Sequence, residues 1–281
     1  MTPPEDNTTQ AQARPFLKWP GGKRQLLPYL LPILRSAAGG TYHEPFLGAG
    51  SVFFALQGEG LFPNACLSDV NQELIDTYEA IRDSVEDVIV RLRKHRALNS
   101  ETYFYRVRDE RPRCPHTIAA RMIYLNKTCY NGLYRVNKSG QFNAPWGSYK
   151  NPNICDQPNL RAVSRVLSTT DLRVASFETV LDYATSDDVV YFDPPYVPVS
   201  STASFTAYSP GGFGPDDQRR LADVVQKLDR RSVRIVLSNS DSRAVRRLYA
   251  GLKIQRVLAS RVINTRSDQR GPVPEIIVRN F

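Results

Sequence analysis

Val189, Val190, Tyr191 and Phe192 form a short apolar run that stops at Asp193-Pro194-Pro195-Tyr196. β-Branched and aromatic residues in so short a run read as a buried strand, and two successive prolines end it in a rigid turn. Each proline lacks an N–H and keeps the preceding residue out of the helical region. The chain must therefore build a sheet around this run and present Asp193 where the strand stops. The Asp193 carboxylate and the carbonyls beside it have few local donors. A planar amino group supplies such donors, and Tyr196 offers an aromatic face next to them. This combination suits a nucleobase whose exocyclic nitrogen reacts. Read alone, the tetrapeptide serves equally as a stiff strand exit without chemistry.

Residues 41–56 read as strand, Gly-rich turn and helix, with Gly48 and Gly50 in the turn. Glycines there allow close approach of a ligand to a helix N-terminus, which suits a nucleotide-like cofactor. The third glycine of the dinucleotide fingerprint is absent, which disfavours hydride chemistry. A second strand, 65–68, ends in Asp69, about 20 residues beyond the glycines, where a carboxylate reaches ribose hydroxyls. Asp69 also reads as the cap of a helix beginning near Asn71, and both readings can hold. Upstream, Pro20-Gly21-Gly22-Lys23 is a turn whose lysine can meet a carboxylate or phosphate; as a motif it is no more than an ordinary surface turn. A short helix follows at 26–33. Residues 71–82 carry helical periodicity, and Ser84 reads as the cap of a new helix.

From there to about residue 170 the strand–helix alternation lapses. Across residues 91–150, thirteen Lys and Arg face three acids (Glu101, Asp109, Glu110), an excess of ten against +9 for the whole 281-residue chain. Basic charge confined to one segment implies a polyanion bound at one place. Interleaved aromatics, among them Tyr130, Tyr134, Phe142, Trp146 and Tyr149, favour nucleic acid over a membrane surface because bases can stack. A solvated basic face is the plainer alternative. Within the window a helix around 118–125 leads to turn signals at Asn131-Gly132 and Ser139-Gly140. The pattern predicts a protruding hairpin with Tyr130, Leu133 and Arg135 at its tip, placed to enter a DNA groove.

Alternation resumes at 172–175 and at the Val189 run. A Ser/Gly/Pro-rich loop over 197–215 holds Phe205, Tyr208 and Phe213, and loops of such length are usually functional or mobile. A helix over 215–228 and strands at 233–237, 254–262 and 275–281 complete the pattern, with a polar loop at 264–274. There is no internal repeat. Residues 1–13 read as a disordered tail. Four widely spaced cysteines (Cys66, Cys114, Cys129, Cys155) form no C-x-x-C pair. Neither disulfides nor a metal site is expected, and reduced thiols place the chain in the cytoplasm. No apolar run approaches the ~20 residues of a membrane span.

The motifs taken together resemble a family. They are the run from Phe16 through Trp19-Pro20-Gly21-Gly22-Lys23, then Glu44-Pro45-Phe46-Leu47-Gly48-Ala49-Gly50-Ser51, Ser68-Asp69, Tyr130-Asn131-Gly132-Leu133-Tyr134-Arg135 and Asp193-Pro194-Pro195-Tyr196. In this order they resemble the Dam-type, α-group (D12 class) DNA adenine-N6 methyltransferases, over nearly the whole chain. The resemblance implies an α/β, Rossmann-like methyltransferase fold. Its seven-strand mixed sheet would have helices on both faces and one antiparallel strand near the C-terminus. It divides the chain into an S-adenosylmethionine-binding catalytic domain (14–83 and 171–281) and an inserted, mainly helical target-recognition domain (84–170) carrying the hairpin.

By motif match, Trp19, Lys23, Phe46, Gly48, Gly50, Asp69 and Asp193 contact the cofactor, with Lys23 meeting its carboxylate and Asp69 its ribose. Lys18, Leu133, Arg135 and Pro145 match positions that read bases in enzymes acting on GATC, and Tyr130 and Asn131 match positions that engage the disturbed bases. Lys127-Thr128-Cys129 departs from the usual Arg-aromatic-Gly lead-in, and Tyr134 and Trp146 are bulkier than the pattern. Asp193, Pro194 and Tyr196 form the catalytic set: Asp193 and the Pro194 carbonyl accept from N6, and Tyr196 stacks on a base flipped out of double-stranded DNA. No metal, membrane or obligate protein partner is implied, and a monomer is expected. Two other readings stand beside this one: a DNA-binding module of the same fold without turnover, and cytosine-N4 methylation.

Overall fold

A computed structural model describes residues 12–137, 139–196, 212–260 and 272–281. The expected tail up to residue 11, most of the 197–215 loop with Phe205 and Tyr208, and residues 264–271 lie outside the described residues.

In chain order the described elements are α1 (Leu27–Ser36), β1 (Thr41–Glu44), α2 (Ser51–Gln57), β2 (Asn64–Asp69), α3 (Gln72–Ala97), α4 (Glu101–Asp109), α5 (Pro115–Thr128), α6 (Gln157–Leu167) and β3 (Thr170–Val174). They continue with β4 (Val189–Phe192), α7 (Pro215–Arg230), β5 (Arg234–Ser240), α8 (Arg243–Leu248), β6 (Lys253–Ser260) and β7 (Pro272–Arg279). The seven strands form one sheet in the order β3-β2-β1-β4-β5-β7-β6, and β7 runs antiparallel to both neighbours. This is the mixed α/β sheet expected.

The Val189 run is the hinge of this arrangement. All four β4 residues are buried, and they alternate between two cores as strand geometry requires. Val189 and Tyr191 join the core beneath α1, α2, α3, α5 and α6, while Val190 and Phe192 join the one beneath α7 and α8. Each such side chain contributes about 1.5–3 kcal/mol by burial. β4 pairs in parallel with β1 on one side and β5 on the other. From β1 the chain builds outward through β2 to β3, and from β4 through β5. The loops leaving β1 and β4 therefore diverge, opening the crevice where open α/β sheets bind ligands.

The expected break at Ser84 is present: α3 is two helical segments joined at this one non-helical residue (φ −150°, ψ 46°), although Ser84 Oγ donates back to the Ala80 carbonyl at 3.3 Å instead of forward to the second segment. Two other local expectations are corrected. Asp69 does not cap α3. Asn71 does, its side chain accepting from Leu74 N at 3.1 Å. The hairpin is displaced too. Its arms are Arg135–Val136 and Phe142–Asn143, joined by a Val136–Phe142 bridge and closed through Asn137. Tyr130 lies ahead of it, in a 3-10 turn over Tyr130–Gly132.

Candidate active site

Four of the five sequence motifs, all but Tyr130–Arg135, converge at the carboxyl ends of β1, β2 and β4. At the first, Gly48 takes φ +49°, and a Cβ there would stand 2.8 Å from Trp19 Cδ1. Only glycine lets the turn lie this close to the indole. The Gly48 N–H donates to Asp69 Oδ2 at 3.1 Å, and the Asn71 N–H donates to Asp69 Oδ1 at 3.0 Å. Asp69 thus ties the β1 turn to the start of α3. Burial pushes its carboxyl above the usual range, and these N–H donors oppose that shift. Phe46 stacks on Phe177 with centroids 5.4 Å apart, and Phe213 meets both edge-on.

At β4, Asp193 is less isolated than its proline context implies. Lys23 Nζ lies 2.8 Å from Asp193 Oδ1 and also donates to the Gly21 carbonyl at 2.7 Å. Ser238 Oγ, on β5, donates to the same Asp193 oxygen at 2.9 Å and lies 2.9 Å from the Tyr191 hydroxyl. Among the described residues no bond falls on Oδ2. Burial raises the Asp193 carboxyl above its ordinary value, and the Lys23 ammonium is the main force against it. The Pro195 carbonyl accepts from Gln218 Nε2 at 2.9 Å, whereas the Pro194 carbonyl has no partner among the described residues. Tyr196 donates to Glu275 Oε2 at 2.9 Å, and Lys23 Nζ sits 4.4 Å from its ring centroid. Lys23 and Ser238 both take Asp193 Oδ1 and Gln218 takes the Pro195 carbonyl, which leaves Asp193 Oδ2 and the Pro194 carbonyl without a partner among the described residues.

The recognition candidates gather separately. Asn126 is fully buried on α5; its Oδ1 accepts from Lys18 N at 2.8 Å, and its Nδ2 donates to the carbonyls of Lys18 (2.7 Å) and Gly132 (3.2 Å). Gly132 sits at φ +65°, where a Cβ would fall 2.4 Å from Lys18 Cδ, so the lysine stem lies against the turn. Tyr130 N donates to the Pro145 carbonyl at 2.9 Å. Arg135 donates from Nε to Asn143 Oδ1 (2.7 Å) and from one terminal nitrogen to the Asn143 carbonyl (2.9 Å), which leaves its outer edge for a ligand. Lys18, Tyr130, Asn131, Arg135 and Pro145 are exposed and Leu133 is half-buried.

Several of these residues escaped sequence reasoning. Gln218 had a signal: it sits on the apolar stripe of α7 with Leu221, Ala222 and Val225, where a polar residue needs a partner. Its partners are the Pro195 carbonyl and Asn239 Nδ2, the latter at 3.1 Å. Ser238 and Glu275 lie on distant strands and had none. Glu44 was visible in its motif but carried no role. It is buried, accepts from the Tyr42 hydroxyl at 2.8 Å, and is raised to about 8, chiefly by burial.

A pH effect follows from Glu44. Its folded pKa lies above the unfolded value, so its stabilising contribution is complete below about 4.5 and is lost as pH rises through about 8. Glu44→Gln imitates the protonated form. The melting temperature of the parent is expected to fall relative to E44Q between about pH 5 and about pH 9. Parallel curves for the two proteins in a thermal melt series would show that Glu44 ionises normally.

Strand order and a glycine turn at the switch point make a Rossmann-like sheet of the kind that binds nucleotide-like cofactors. The sequence model described as D12 class N6 adenine-specific DNA methyltransferase matches residues 19–263, and the chain belongs to that family. It is 40% identical to the type II methyltransferase M.MjaIII of Methanocaldococcus jannaschii, over 96% of this chain and 100% of that protein. It is also 40% identical to M1.LlaDCHI of Lactococcus lactis subsp. cremoris, over 95% of each. The DNA adenine methylase of Escherichia coli K12 is 33% identical, over 94% of each chain. The protein is thus an S-adenosylmethionine-dependent DNA methyltransferase. Among the described residues no helix is long and apolar enough to cross a membrane.

Proposed function

We propose that this enzyme methylates adenine N6 within GATC in double-stranded DNA after flipping the base from the helix. The observation that carries this reading is that Asn126 ties Lys18 to Gly132, and Tyr130 N pairs with the Pro145 carbonyl, within the segment that also holds Asn131, Leu133 and Arg135. That segment reads the duplex, and the Asp193 acceptors receive what the duplex gives up.

The site residues fit the cofactor. Trp19, Phe46, Gly48 and Gly50 line its approach, the Gly48 cradle has no room for a Cβ, and Asp69 is a half-buried acceptor suited to ribose hydroxyls. Lys23 is placed for a carboxylate, and already holds that of Asp193. When bound, the cofactor supplies an electrophilic methyl group. The chain's own part is to orient the amine. Asp193 Oδ2 and the Pro194 carbonyl accept the two N6–H bonds, which turns the nitrogen lone pair away from both. Lys23 covers one face of Tyr196, and the flipped ring stacks on the other. As positive charge develops on nitrogen, the Asp193 carboxylate stabilises it. Most of the acceleration comes from positioning.

Residues 84–170 act as the recognition unit, whose basic excess makes binding fall steeply with salt. The enzyme works as a monomer, without an obligate protein partner, in the cytoplasm. Methylation-sensitive sequencing of DNA from a methylation-free host expressing the protein tests the site: every modified adenine is expected in GATC, and a modified motif without GATC removes the assignment. Arg135→Ala is expected to relax discrimination at one base pair by about 1–3 kcal/mol. Competition between cognate and single-substituted duplexes measures this, and equal loss on all duplexes would make Arg135 a phosphate contact.

A further inference from the structure

Tyr134 sits between half-buried Leu133 and exposed Arg135, yet it is packed inward. It is buried, and its ring stacks on Trp19 with centroids 4.9 Å apart and planes 25° from parallel. Trp19 in turn lies against the Gly48 turn. The Tyr134 hydroxyl donates to Glu73 Oε2 at 3.3 Å, in the first turn of α3 beyond Asp69 and Asn71. Glu73 is fixed by Arg121, whose NH1 lies 2.9 Å from its other oxygen. The same guanidinium donates to the carbonyls of Val107 (3.0 Å) and Arg108 (2.7 Å) near the end of α4. Phe142, on the returning arm of the hairpin, meets the Tyr134 ring edge-on at 5.9 Å. One side chain from the reading segment is therefore anchored on the cofactor side of the molecule.

We propose that Tyr134 is a positioning residue for the cofactor: from within the DNA-reading segment it braces Trp19 against the Gly48 turn. Cofactor binding and the order of residues 130–136 then depend on each other, because a coupling between two sites acts equally in both directions. This rests on the reading that Trp19 meets the cofactor. An indole already held in place loses less freedom when a ligand arrives, and the stack sets the size of the effect.

The test is calorimetric binding of S-adenosylhomocysteine, without DNA, to the full chain and to Y134F, Y134L and W19L. Y134L is expected to weaken binding about three- to tenfold, the range of an aromatic pair. Y134F, which keeps the stack and loses only a long hydrogen bond, stays within about twofold. In steady-state assays Y134L raises the cofactor KM more than it lowers kcat. Weakened binding in W19L with unchanged binding in Y134L overturns the brace but keeps Trp19 as a cofactor contact. Unchanged binding in W19L overturns that contact, and the brace with it. Should Y134L fail to fold, hydrogen exchange on the parent protein decides. S-Adenosylhomocysteine alone is expected to slow exchange across residues 130–136, and protection confined to residues 46–50 contradicts the proposal.

Discussion

Asp193→Ala is expected to lower kcat for methyl transfer by about a thousandfold, while DNA binding stays near that of the parent. In the proposed mechanism the carboxylate has two duties, accepting one N6–H bond and stabilising the positive charge that develops on nitrogen, and alanine removes both. Its surroundings are built to keep it oriented, with Lys23 and Ser238 both on Oδ1 at 2.8 and 2.9 Å. Asp193→Asn keeps the shape but supplies a neutral group, one end of which is a donor. It too is expected to be nearly inactive, because it no longer balances the developing charge. Single-turnover kinetics on a saturating duplex, alongside a binding titration, separates the two effects. A variant that binds DNA poorly and turns over normally would place Asp193 in recognition instead.

Lys23→Met carries the second large effect, and its signature is a shifted pH profile. Lys23 and Asp193 form a pair whose side chains are 8% and 19% exposed. Breaking such a pair costs about 3–5 kcal/mol when the remaining charge stays ionised. The protein escapes part of that cost by protonating Asp193. Burial already raises this carboxyl and Lys23 is the chief opposing influence, so its loss moves the acid limb of the pH–rate profile to higher pH. Activity is expected to fall most at the acid end of the profile and to recover in part as pH rises, each tenfold change in the balance of protonated and ionised carboxyl corresponding to about 1.4 kcal/mol. Cofactor affinity falls as well, because the ammonium placed for its carboxylate is gone. A uniform loss at all pH values would mean that Lys23 does not control Asp193.

Much of this architecture was legible in the sequence because it depends on short-range patterns. The Val189 run named its own burial, and the Gly48–Gly50 turn and Asp69 stood at the spacing a strand–turn–helix–strand unit imposes. What failed were choices between two local signals of equal strength. Asn131-Gly132 and Ser139-Gly140 both mark turns. The second lies where the hairpin closes, with Asn137 Oδ1 accepting from Ser139 N and Gln141 N at 3.0 Å each. Asn131, at φ +56°, belongs to a 3-10 turn instead. Ser84 does mark the break between the two segments of α3, but its hydroxyl turns back to the Ala80 carbonyl instead of capping the second. The pairings that make the site work were beyond reach for a different reason. Lys23 with Asp193, Tyr196 with Glu275, and Asn126 with Lys18 join residues far apart in the chain, and no periodicity encodes which carboxylate a lysine will meet. Glu44 shows the same limit: its pattern marks it, but only the closed fold buries it enough to hold its proton.

The central claim is that Asp193 and the Pro194 carbonyl orient one exocyclic amine for methylation. The direct measurement is incubation of the enzyme with methyl-labelled S-adenosylmethionine and mixed-sequence duplex DNA, followed by digestion to nucleosides and identification of the labelled base by mass. N6-methyladenine is the expected product, absent when D193A replaces the parent. Label on cytosine N4, no label at all, or N6-methyladenine formed equally well by D193A would contradict the account.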